Sequence, residues 1–149
     1  MVEGIGFGNR RTFAEDVLVF LISVPIVCFA GALLTDTAYA NSPDIQWSNF
    51  SAWLLAVGMV FGGIAALLGV FLFFRSTRRP RMISDWIFIV SSIIVLILAL
   101  LNNFVHTRDS WTSVWPGGIS LSIITVVFIL IAAVSRYLSL RSSRTEQKG

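Results

Sequence analysis

The chain has 149 residues, 56% of them hydrophobic, with a mean hydropathy of +0.82 and a formal net charge of +3. That apolar share exceeds the usage of soluble globular domains. One cysteine, Cys28, excludes an internal disulfide, and one cysteine with one histidine excludes a zinc site built from Cys and His alone.

Apolar runs of about 18 residues or more read as membrane helices, because a helix rising about 1.5 Å per residue must cross about 30 Å of hydrocarbon. Such runs occur at about 17–36, 50–74, 84–105 and 117–139. They predict one all-α integral membrane domain over residues 1–149, a four-helix bundle with flexible tails at 1–10 and 142–149.

Before the first run, Arg10-Arg11 and the later Ala38-Tyr39-Ala40 imitate export and cleavage signals. The apolar stretch exceeds the usual signal core of about 7–15 residues. Glu15 and Asp16 also place negative charge where a signal peptide carries positive. An uncleaved first span is therefore expected. Pro25 lies in its middle, which is tolerable where neighbouring helices satisfy the freed backbone groups. Asp36 closes the span. Solvation at the interface is the simpler expectation for it; the alternative is a partly buried carboxylate that needs a partner.

A polar loop follows, with a turn signal at Ser42-Pro43, and Trp47 and Trp53 bracket the start of the second span as an interfacial belt. Within that span Gly58, Gly62, Ala66 and Gly69 form a stripe of small residues. Such stripes let helix backbones approach closely in lipid. They serve either packing against a sister span, which is expected here, or a homo-oligomer face.

Arg75, Arg78, Arg79 and Arg81 crowd the next connection. Short basic loops stay cytoplasmic. Arg10 and Arg11 before the first span, and Arg136, Arg141, Arg144 and Lys148 at the other terminus, agree once four spans alternate, so both termini are expected in the cytoplasm. Anionic lipid is the natural counterpart of these arginines. Nucleic acid is not the expected partner of the arginine-rich connection at 75–81, since no aromatic residue interleaves its arginines.

The third span opens at Asp85, beside the arginines, and ends in the amides of Asn102 and Asn103. Between it and the fourth span stand His106, Arg108, Asp109, Trp111 and Trp115, before the turn at Pro116-Gly117-Gly118. With Asp36, Trp47, Trp53 and Asn102 they make the candidate interaction cluster on the outer face. Arg108 either pairs with Asp109 at the surface, for about 0–1 kcal/mol, or folds inward onto Asp36, where a partly buried pair fixes geometry. No catalytic set is present: there is no phosphate-binding glycine loop, no Gly-x-Ser-x-Gly and no His-Glu-x-x-His. Two-histidine haem ligation within the chain is impossible with His106 alone.

The runs Gly31-Ala32-Leu33-Leu34-Thr35-Asp36, Trp47-Ser48-Asn49-Phe50-Ser51-Ala52-Trp53 and His106-Thr107-Arg108-Asp109-Ser110-Trp111, with the glycines of span two, carry a resemblance. From Pro25 to Tyr137 the chain resembles the bacterial membrane-protein family called domain of unknown function twenty-two thirty-one. The resemblance implies four spans in the bacterial inner membrane and no established activity. It also implies, through gene neighbourhood, a periplasmic dehydrogenase as partner. Histidines that many members carry early in spans one and three are replaced here by the Leu18–Leu21 region and by Phe88, and an acid late in span two by Leu72. These departures count against any cofactor or proton role of the family being retained here.

The expectation is a non-enzymatic inner-membrane subunit or docking protein that presents the outer cluster to a periplasmic or membrane partner. The alternative is a redox-associated module taking quinone or haem near the outer leaflet.

Overall fold

The structure is a computed structural model, and it describes residues 13–75, 83–106 and 114–146. Four long helices dominate: α1 (Phe13–Asn41), α2 (Ile45–Arg75), α3 (Ile83–His106) and α4 (Ile119–Glu146). A π-helical turn, Val114–Gly118, leads into α4. No strand occurs among the described residues. Phe13–Asn41, Ile45–Arg75, Ile83–His106 and Pro116–Leu138 are each long and apolar enough to cross a membrane. The shortest helix, α3, has 24 residues and so extends about 36 Å at 1.5 Å per residue.

The α1–α2 connection is built by its sequence. The Ser42 amide donates to Ala38 O at 2.9 Å and closes α1. Pro43 cannot continue a helix ladder. Asp44 then caps α2, its Oδ1 accepting from the Gln46 amide at 2.9 Å. The tight reversal packs α1 against α2, and α3 pairs with α4 in the same way. Contacts of α2 with α3 and of α1 with α4 close the bundle, and the π turn rests on α1, α3 and α4.

The bundle is polar at selected points inside and apolar outside. Its core is small: Phe29, Ala32, Leu55, Val95 and Ala99. Large apolar side chains point outward, among them Phe20, Trp53, Leu67 and Leu130. In water this would be an aggregation surface; hydrocarbon is an equally apolar neighbour for such side chains. Most hydroxyls on the spans bond back to their own helix, as Ser92 does to Phe88 O, Thr125 to Leu121 O and Ser135 to Ile131 O. That satisfies a hydroxyl where no water is at hand.

Small residues of α2 face inward. A Cβ on Gly58 would lie 2.5 Å from Phe29 Cε1, and one on Gly62 would lie 2.9 Å from Leu96 Cδ2 and 3.6 Å from Pro25 Cβ. The glycines therefore receive side chains of α1 and α3. A Cβ on Gly69 would make ordinary contact with Leu18, at 3.8 Å. Ala65 is buried, and Ala66 only half-buried. α1 continues through Pro25.

Two features differ from the sequence reading. His106, placed there between the third and fourth spans, is the last residue of α3. The turn before the fourth span is a wide π-helical one that begins at Val114.

Candidate functional site

Four helix ends meet where the chain reverses between α1 and α2. There the C-terminal part of α1 brings Asp36, the first turns of α2 bring Ser51, the end of α3 brings Asn102 and His106, and the start of α4 brings Ser122. All five side chains are buried, and Asp36 is completely so. The expectation of a solvated Asp36 is thus overturned. Its carboxylate lies inside the bundle, because the face of α1 that carries it also carries Ala32 and Phe29 and packs against the other helices.

A buried carboxylate is costly unless it is paired and hydrogen-bonded. Asp36 is both. Oδ1 accepts from Ser51 Oγ at 2.5 Å and lies 3.0 Å from His106 Nε2. Oδ2 accepts from Ser122 Oγ at 2.6 Å. Ser122 Oγ in turn accepts from Asn102 Nδ2 at 2.7 Å. Thr35 Oγ1 stands 2.6 Å from Ser51 Oγ. Thr35 Oγ1 itself donates back to its own helix, toward Gly31 O at 3.1 Å and Ala32 O at 3.0 Å.

The ring of His106 restricts the protonation states. Nδ1 lies 3.0 Å from the backbone oxygen of Asn102, which can only accept, so Nδ1 carries a proton. Nε2 faces Asp36 Oδ1. Either Nε2 carries a second proton and faces a carboxylate, or it accepts from a protonated Asp36. Both arrangements have net charge zero. Both serine hydroxyls and the His106 ring nitrogen lie within hydrogen-bond distance of the carboxylate.

The orientation of the Asn102 amide follows from the same accounting. Ser122 gives its one proton to Asp36, so it can only accept from Asn102, and Nδ2 must face it. This leaves Asn102 Oδ1 buried without a hydrogen-bond partner. Such an orphan in a native interior calls for an explanation.

Of the residues singled out in the sequence, Asp36, Asn102 and His106 come together. Trp47 and Trp53 stay outside, 38% and 73% exposed, with Trp47 edge-on to Phe50 at 6.0 Å. Arg108, Asp109 and Trp111 lie outside the described residues, as does any pairing of Arg108 with Asp36 or Asp109. The backbone of Trp115 is part of the π turn. Ser51 and Ser122 were missed as site residues. Serines are frequent on membrane helices, and only their approach to Asp36 distinguishes these two.

The cluster holds no nucleophile activated by a base: both serines donate to a carboxylate, and neither is bonded to His106. Both ring nitrogens of His106 are engaged, so this arrangement presents none to a haem iron. Among the described residues no three His, Cys, Asp or Glu side chains group to hold a metal ion.

The family described as predicted membrane protein (DUF2231) matches residues 19–135, a segment that reaches into all four long helices. No curated protein and no solved structure gives a significant match to the chain. On a family match over most of its length, the chain belongs to the DUF2231 membrane-protein family.

Proposed function

We propose that the protein is a non-enzymatic subunit of the bacterial inner membrane, with both termini in the cytoplasm, and that the bundle end around Asp36 is its docking face. The supporting observation is that one carboxylate on α1 is bonded at once to Ser51 on α2, His106 on α3 and Ser122 on α4. A carboxylate held by three helices fixes their ends relative to one another. Buried polar networks of this kind serve geometry more than net stability. The clamp would hold the α1–α2 reversal and the π turn as a rigid rim, with Trp47 and Trp53 beside it for a membrane or periplasmic partner.

Photo-crosslinking residues in place of Trp47 and Trp53 test this in native membranes, with the same replacement at Phe74, at the opposite end of α2, as control. One partner polypeptide should be captured from the first two positions and not from the third. Capture of lipid alone at Trp47 and Trp53 would refute the docking role.

A further inference from the structure

The orphaned oxygen of Asn102 has a use in the chain of bonds it belongs to. At rest the chain runs in one direction: Asn102 Nδ2–H to Ser122 Oγ, and Ser122 Oγ–H to Asp36 Oδ2. A proton placed on Oδ2 reverses it. Asp36 then donates to Ser122 Oγ, and Ser122 must find a new acceptor. Asn102 Oδ1 becomes that acceptor when the amide turns over, a change that exchanges O and N within nearly the same volume. Before reversal one polar atom of Asn102 lacks a partner, Oδ1; afterwards the other does, Nδ2. The bonds of Asp36 Oδ1 to Ser51 and His106 persist in both states. We propose that Asp36 is a proton-binding site that is loaded by this reversal.

The balance is simple. One proton leaves a hydronium ion in the medium and joins Asp36 Oδ2. The Asp36–His106 pair passes from net charge zero to +1, and no other group gains or loses a proton. A buried net charge is costly.

Access is one-sided. One turn deeper than Asp36, Ser51 and Asn102 lie Ala32, Leu55 and Ala99, all buried in the apolar core with Phe29 and Val95. Thr125, one turn beyond Ser122, turns its hydroxyl back to Leu121 O. Ser51 and Thr35 reach the backbone oxygens of Ala32 and Gly31, which hold no proton to pass on, and the proton exchanges with the end that carries the α1–α2 reversal.

The groups facing Asp36 from the packed elements are Ser51 of α2, Asn102 and His106 of α3 and Ser122 of α4. The π turn carries no titratable residue. At that end of the described chain, Tyr39 and the exposed loop residue Asp44 are the other titratable groups. Neither is bonded to Asp36. This inference stands apart from the docking role and survives its failure.

Solid-state NMR of the labelled protein in lipid vesicles tests it. The Asp36 carboxyl carbon, assigned by its loss in Asp36→Asn, is followed from neutral to acidic pH with the side-chain amide nitrogen of Asn102 and the ring nitrogens of His106. The expected result is one common midpoint for Asp36 and Asn102, with His106 doubly protonated throughout. Ser122→Ala should leave the Asn102 amide unresponsive to the Asp36 titration, and Ser122→Thr, which keeps the hydroxyl, should retain the response. An Asp36 signal that never changes while the helical circular dichroism is intact would overturn the proposal. So would an Asn102 amide that stays fixed while Asp36 titrates, or a response that survives in Ser122→Ala.

Discussion

Replacing His106 with leucine leaves Asp36 ionised inside the bundle with only Ser51 and Ser122 as donors. Both side chains of the pair are fully buried and 3.0 Å apart, so water cannot replace the lost imidazole without opening the helix ends. Removing one member of a buried pair costs about 3–5 kcal/mol, and His106→Leu should fall in that range. Asp36→Asn is milder. It keeps one oxygen, which accepts from only one of the two serines, and His106 can lose its Nε2 proton, so no charge stays stranded in the bundle. In the double variant no charge is stranded, so the losses should not add: the coupling should recover about 1–3 kcal/mol. Asp36→Asn should therefore partly rescue His106→Leu. The assay is reversible unfolding in mixed micelles by a denaturing detergent, read by helical circular dichroism. Additivity within about 0.5 kcal/mol would mean that the pair does not act as a unit, and the account of the site would fail.

Gly58→Ala should destabilise the bundle by about 1–3 kcal/mol through overpacking, because its Cβ would meet the Phe29 ring at 2.5 Å. Gly63→Ala, with nothing within 4 Å of its Cβ, should be neutral or stabilising in the same unfolding assay, and Phe29→Leu should relieve the Gly58 variant. An impermeant thiol reagent on intact cells, with Cys28 replaced, should label Ser110→Cys and spare Ser76→Cys; the reverse pattern would invert the topology. The purified protein should show no stoichiometric Soret band, and one that vanished in His106→Ala would contradict the engagement of both ring nitrogens.

The spans were legible because hydrocarbon imposes a single strong rule, an apolar run long enough to cross it. That rule says nothing about which side chains meet. Gly58 and Gly62 were legible as a packing stripe because small residues at a spacing of four have one physical use in lipid. Their partners were not, since Phe29, Pro25 and Leu96 are ordinary residues of apolar spans.

His106 as a partner of Asp36 is less legible in the sequence, for a reason that the structure makes specific. A charge argument looks for a permanent cation, and Arg108 is the only arginine between the third and fourth spans. A histidine, neutral in the formal charge count, draws no such argument even where it shares a cluster with the carboxylate. Yet α3 already marked its inner face. Ser91, Val95, Ala99, Asn102 and His106 recur at intervals of four, four, three and four, and all five are buried. Large apolar residues such as Val90, Ile93, Ile97 and Leu101 occupy the outer face. A polar face on a span must turn toward protein, since lipid offers it no hydrogen bond. Extending that face to the end of the helix places the His106 ring toward the bundle. Asp36, four residues beyond the buried Ala32, continues the corresponding face of α1. Periodicity therefore carries the Asp36–His106 pairing, on which net charge is silent. Asn102 stands on the same stripe one turn before His106, and this is why an amide with a spare oxygen lies within reach of Ser122 and, through it, of the carboxylate.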